Sequence, residues 1–146
     1  MNNKKISIIT VVKNGMPYIK SAIKSFELQD YQNKELIIIY SKSDDGTEEF
    51  LNKFYPNISH FDQNSLNKFG SINLGLNKAS GDIIGLLHAD DFFYNEITLK
   101  NISENFDDEV NCIYGDIMFC NKENINIISR VWKSANYDKL NLRFGW

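Results

Sequence analysis

The sequence predicts an α/β fold in which a mostly parallel open sheet carries helices on both faces. Three observations lead there. Short, β-branched apolar runs recur along the first two thirds of the chain. Helical apolar stripes separate them. Polar turns, two of them acidic, follow three of the runs. Strand and helix in alternation is the pattern of parallel strands joined by crossover helices.

The elements follow in order. Ile6-Ser7-Ile8-Ile9-Thr10-Val11-Val12 is almost continuously apolar, as in a strand covered on both faces. Ile19, Ala22, Ile23 and Phe26 then recur at helical spacing, with Pro17 suited to the first helical turn. Leu36-Ile37-Ile38-Ile39 reads as a second buried strand, residues 46–54 as a short helix, and Ile58 to Phe61 as a third strand. Phe69, Ile72, Leu76 and Ala79 form another helical stripe, stopped by Ser80-Gly81. Ile83 to Leu87 is a fourth buried strand. Beyond it come a helix from Glu96 to Asn105 and two strand-like segments, Cys112 to Tyr114 and Ile125 to Trp132, in a less regular, mixed region. The expectation is one domain over residues 1–146, divided into halves at 1–95 and 96–146.

Bulk properties narrow the function classes. With 146 residues and 42% apolar content the chain is long enough for one real core. A net charge of −3 and no long basic run exclude a nucleic-acid partner held by phosphate neutralisation. Cys112 and Cys120 lack metal-ligand spacing and read as buried free thiols. No signal-type apolar run follows Met1, and no stretch has transmembrane length, so a cytoplasmic location is expected.

In open parallel sheets ligands bind beyond the carboxyl ends of the strands. Three segments lie there: Lys13-Asn14-Gly15, the loop from Tyr40 to Thr47, and His88-Ala89-Asp90-Asp91. The last is the most informative, because an apolar strand delivers two adjacent carboxylates to the ligand side. Their repulsion is offset by a cation or by hydrogen bonds. A hard divalent ion, Mn²⁺ or Mg²⁺, takes such oxygens together with substrate phosphates and stabilises a departing diphosphate. The plainer reading is a solvated turn in which Asp91 caps the next helix and His88 is structural. Asp45 and Glu48 are spaced as a capping box, which by itself accounts for that loop. Lys13-Asn14-Gly15 also serves as an ordinary strand-to-helix turn. No G-x-G-x-x-G or Walker pattern occurs, which argues against a dinucleotide or P-loop site.

Taken together, the segments resemble the family-2 inverting glycosyltransferases of the GT-A type, a Rossmann-like fold. The resemblance runs from Ser7-Ile8-Ile9-Thr10-Val11-Val12-Lys13-Asn14 through Ser25-Phe26, Gln29-Asp30-Tyr31 and Glu35 to Ile39. It continues with Ser43-Asp44-Asp45-Gly46-Thr47, Asn73 to Asp82, Gly85 to Asp91 and Tyr114-Gly115-Asp116. It implies a nucleotide-diphosphate sugar donor, a glycan or lipid-linked acceptor in bacterial surface polysaccharide synthesis, and in-line displacement with inversion. By position, it implies donor contacts from Val12, Lys13, Asn14, Tyr40, Ser43, Asp45, Asn73, His88, Ala89 and Asp90. Asp90 and Asp91 match the acidic DxD-like motif, with Asp91 holding the metal. The location it implies is cytoplasmic, including the inner membrane face.

Three departures stand out. Tyr40 occupies the place of an Asp that usually meets the base, and Lys13 the place of an aromatic residue. Only 55 residues follow Asp91, whereas the family's general base lies well after the acidic pair. Asp116 is the candidate base in range, and the aromatic ending at Phe144 and Trp146 reads as a cut within a longer domain. That ending is expected to expose apolar surface for self-association or a partner chain. The competing readings are a non-catalytic nucleotide-sugar-binding module, an inactive truncated transferase and, disfavoured for want of a Gly-rich basic phosphate loop, a nucleotidyltransferase.

Overall fold

The computed structural model describes residues 4–62 and 67–138; Phe144 and Trp146 lie outside them. The elements are β1 (Ile6–Val12), α1 (Ile19–Glu27), β2 (Lys34–Tyr40), α2 (Thr47–Phe54), β3 (Ser59–Asp62), α3 (Lys68–Lys78), β4 (Ile83–Leu86), α4 (Thr98–Asn105), β5 (Ile117–Cys120) and β6 (Ile128–Trp132). The chain divides into two compact units, Met1–Asp107 and Asp108–Trp146.

In the first unit β1 to β4 form one parallel sheet in the order β3-β2-β1-β4. The two central strands are the near-continuous apolar runs, because among the described residues only they have neighbours on both sides and helices on both faces. Ile6, Ile8 and Val12 of β1 and Leu36, Ile38 and Tyr40 of β2 pack with α1, with Leu51 of α2 and with Leu99 of α4. The other face lies under α3, whose Gly75 approaches β1 so closely that a Cβ there would sit 2.5 Å from Ile9 Cγ2.

Several expectations shift. β4 is an edge strand and not a fully buried one: Ile83 and Leu87 are buried, but Ile84 is 41% and Leu86 54% exposed. The stripe of Phe69, Ile72 and Leu76 is not the buried face of α3. Phe69 is 73% exposed, and the helix instead buries Ser71 and Gly75. Small residues face the sheet because helix and strand are too close for large ones. Pro17 precedes α1 instead of opening it. No capping box forms at α2, whose N-cap is Gly46 with φ 85°. The first compact unit reaches Asp107, because α4 docks on the end of α1. Buried Gln29 accepts from Leu99 N–H (3.0 Å) and donates to the Asn95 carbonyl (2.6 Å), while Ser103 Oγ donates to the Tyr31 hydroxyl (2.8 Å).

The second unit contains an antiparallel pair, β5 with β6, with a register shift at Phe119/Cys120. The expected strand at Cys112 to Tyr114 is not formed; pairing begins at Ile117, after Gly115-Asp116. Cys112 and Cys120 are free thiols, but Cys112 is exposed and Cys120 only partly covered. Among the described residues no helix is long and apolar enough to cross a membrane.

Candidate functional site

The carboxyl ends of β1, β2 and β4 lie side by side because the strands are parallel and in register, Val12 opposite Tyr40 and Ile9 opposite Leu86. The turns that follow meet at this end. After β1, Asn14 takes a left-handed conformation (φ 52°), which Asn tolerates better than most residues. Gly15 is required next: a Cβ there would lie 2.3 Å from Val12 Cγ2.

A polar network joins the β1 turn to the β2 loop. Asn14 N–H donates to Ser43 Oγ (3.0 Å), and Asp44 N–H donates to Asn14 Oδ1 (3.1 Å). Gly15 N–H donates to Thr47 Oγ1 (2.9 Å), and Thr47 Oγ1 in turn donates to Asp45 Oδ1 (2.6 Å). Asp45 also accepts from Thr47 N–H (3.0 Å) and, across the loops, from Met16 N–H (2.7 Å). Burial pushes the Asp45 carboxyl up, but these donors outweigh it and hold the group below the usual carboxylate range.

After β4, Leu87 N–H still bonds to the Ile9 carbonyl (3.0 Å), and Asp91 N–H then bonds back to the His88 carbonyl (3.1 Å). That turn gathers His88, Asp90 and Asp91, whose ligand atoms lie within 4.8 Å of one another. Desolvation raises the pKa of Asp91, the charge of Asp90 adds to this, and His88 opposes it. One nitrogen and two carboxylates suit a divalent ion that accepts both atom types, so the donor set fits Mn²⁺ and, with water in place of the imidazole, Mg²⁺.

Between these turns is a cavity of about 690 Å³. Val12, Lys13, Asn14, His88, Ala89 and Asp90, all expected at the donor site, line it. Ser43 and Asp45 do not; they hold the loops behind it. Asp91 is beside it, in the His88 turn. Asn73 is exposed on α3 and outside the lining. Tyr40 is turned into the core, 8% exposed, with its ring 5.7 Å from that of His60. At an end of β2 where even-numbered positions face α1 and α2, the ring points inward and is not presented to the cavity.

The lining also includes Tyr18, Lys68 and Ser71, which the sequence reading passed over. A signal for the last two was present. Ser71, Gly75 and Ala79 are small residues at four-residue spacing, the face by which α3 approaches the sheet and brings its first turn to the strand ends.

Asp116 belongs to the second unit. Its carboxylate accepts from Lys133 Nζ (2.7 Å), Ser134 N–H (2.9 Å) and Ser134 Oγ (2.9 Å). These bonds, that from Lys133 first, hold its pKa at about 2. The group thus bridges the residue before β5 to those just after β6, and it is a weak base in this state.

The chain matches the family described as Glycosyl transferase family 2 over residues 7–145. It is 34% identical over 149 residues to an uncharacterised glycosyltransferase of Haemophilus influenzae, covering 99% of this chain and 59% of that protein. It is 36% identical over 110 residues to one of Rickettsia conorii, covering 72% of this chain and 18% of that protein. Staphylococcus aureus TarS 1–349 superposes with a TM-score of 0.60 at 25% identity, over 68% of this chain and 31% of that one. The mannosyltransferase PcManGT from Pyrobaculum calidifontis, in complex with GDP-Man and Mn²⁺, gives 0.64 at 23% identity, over 82% and 36%. These neighbours agree with the GT-A sheet described above, and the match over almost the entire chain places it: this protein belongs to glycosyl transferase family 2.

Proposed function

We propose that the cavity at the ends of β1, β2 and β4 binds a nucleoside-diphosphate sugar, and that the chain supplies the donor-binding part of an inverting sugar transfer to an acceptor hydroxyl. The observation that carries this reading is the lining itself. Partly exposed Val11 and Ala89 with Ser41 offer a surface for the nucleoside. Lys13 and the His88-Asp90-Asp91 turn border the same space with charges of both signs. His88, Asp90 and Asp91 would hold Mn²⁺ or Mg²⁺, whose charge stabilises a departing diphosphate. Relatives support the ligand class: TarS 1–349 has been crystallised with UDP and with UDP-GlcNAc, and PcManGT with GDP-Man. For the acceptor we infer, from the family resemblance alone, a glycan or lipid-linked hydroxyl of a bacterial surface polysaccharide.

Calorimetry with UDP and GDP, with and without Mn²⁺, tests the reading. Binding that strengthens with Mn²⁺, and loses that gain in Asp91→Ala, is expected. Absence of any nucleotide binding would remove the donor site; an equal response of Asp91→Ala to Mn²⁺ would remove the metal role.

A second reading, binding without transfer by this chain alone, is favoured by Asp116. A general base works best with a pKa near the operating pH, whereas this carboxylate is engaged by Lys133 and Ser134 at about 2. Product analysis separates the two: sugar transfer or donor hydrolysis supports the enzyme, and saturable binding without turnover supports the module.

A further inference from the structure

We propose that Lys13 and Lys68 act as a cationic pair that binds the donor diphosphate, so that much of the nucleotide affinity of this chain does not require a divalent ion. The proposal rests on the reading that the cavity takes a nucleoside diphosphate.

Lys13 lies in the turn after β1, and Lys68 is the first residue of α3. They are 55 positions apart in sequence, yet the fold brings both to one cavity. Both are exposed, and among the described residues neither has an ion-pair partner. Most of the other described lysines are engaged, and Lys42, Lys100 and Lys122 lie outside the cavity lining. Lys5, Lys24 and Lys133 pair with carboxylates, and Lys20, Lys53 and Lys78 lie over aromatic rings. Two unpaired ammonium groups bordering one cavity repel each other and attract an anion with more than one charge. Lys68 also stands in the first turn of an 11-residue helix, where the aligned peptide dipoles add positive potential.

Charge balance gives the pair its role. Without a cation the lining sets Lys13 and Lys68 against one carboxylate, Asp90; with one, the two negative charges of Asp90 and Asp91 are only neutralised. The charge of the diphosphate is then still uncompensated, and the two lysines are the cationic side chains in the lining that can meet it. A lysine binds phosphate as a compact point charge, tolerant of small shifts in the bound group. Lys68 is thereby a donor-binding residue contributed by α3, on the opposite side of the sheet from α1 and α2.

The test is calorimetry of UDP and GDP in EDTA and in Mn²⁺, on the whole chain and on Lys13→Gln, Lys68→Gln, the double variant and Lys68→Arg. In parallel, an NMR shift titration follows the matching nucleoside. The pair predicts measurable diphosphate binding in EDTA, weakened about tenfold by each Gln substitution. The effects should combine in the double variant, the nucleoside affinity should not change, and Lys68→Arg should stay near wild type because the charge is kept. If the double variant binds the diphosphate in EDTA as tightly as the wild type, the proposal fails. Wild-type binding that appears only with Mn²⁺ also overturns it while leaving the donor site standing. A wild type that binds neither nucleotide under either condition overturns the donor-site reading itself.

Discussion

Asp45 should matter to this site without touching a ligand. Asp45→Ala removes the acceptor for Met16 N–H at 2.7 Å, Thr47 N–H at 3.0 Å and Thr47 Oγ1 at 2.6 Å. A hydrogen bond to a charged group contributes about 1.5–3 kcal/mol net. Summing three would overcount, since Asp45 is only half-buried and water can replace part of what it offers. The expected cost is about 2–3 kcal/mol, most of it from the bond to Met16 that crosses between the loops. Asp45→Asn keeps an oxygen for Thr47 but turns an NH₂ toward the Met16 N–H, so it should recover only about half of that loss. Nucleotide affinity should fall in both variants, because Lys13, Asn14 and Gly15 of the tethered turn line the cavity. The sign with pH follows from the depressed pKa of the folded state. The contribution is complete above the usual carboxylate range and is lost as pH falls below it. Urea unfolding at pH 7 and pH 3, with UDP and GDP calorimetry at pH 7, provides the assay. The gap between wild type and Asp45→Ala should narrow at pH 3. An alanine variant with unchanged unfolding midpoint and unchanged affinity would refute the reasoning.

Three further outcomes are expected. Burial raises the Glu35 pKa, but bonds from Lys5, Ser7 and Ser80 outweigh this and bring it from 4.5 to about 2. Its stabilisation is therefore full above about pH 4.5 and lost as pH falls toward 2; the shift is equivalent to roughly 3 kcal/mol, which we discount to about 1–2 because both partners are partly in water. Glu35→Gln should flatten the acid limb of an unfolding curve by that amount. Gly75→Ala places a Cβ 2.5 Å from Ile9 Cγ2 and should destabilise by about 1–3 kcal/mol despite the better helix propensity, and its loss should be less than additive with that of Ile9→Ala in a double-mutant cycle read from denaturant midpoints. The β5–β6 pair has only two strands, and every residue of β6 is exposed. Its amides should exchange with solvent at least about 100-fold faster than those of β1 and β2 in hydrogen-exchange mass spectrometry.

Much of this protein was legible in its sequence, for reasons that are local. A parallel strand buried on both faces must be apolar at consecutive positions, so β1 and β2 declared themselves. Helix α1 repeats Ile19, Ala22, Ile23 and Phe26 at the spacing that one helical face demands. An acidic pair after an apolar run falls at the carboxyl end of a strand, and the turn that gathers His88, Asp90 and Asp91 is built from neighbours in the chain. What tertiary structure alone decided depends on distance between segments. Whether β4 is central or an edge is set by how many strands flank it, not by its composition. Phe69 and Leu76 looked like a core stripe, but α3 lies so near Ile9 that only Ser71 and Gly75 fit beneath it. Asp45 and Ser43 had the chemistry of ligand contacts, yet the adjoining β1 turn brings its N–H groups within their reach first. Tyr40 had the position of a base contact, and the strand's alternation turned its ring into the core. Lys68 acquired a place at the cavity that Lys13 also lines only when α3 packed on the sheet, since bringing residues 55 positions apart to one cavity is a property of the packed fold.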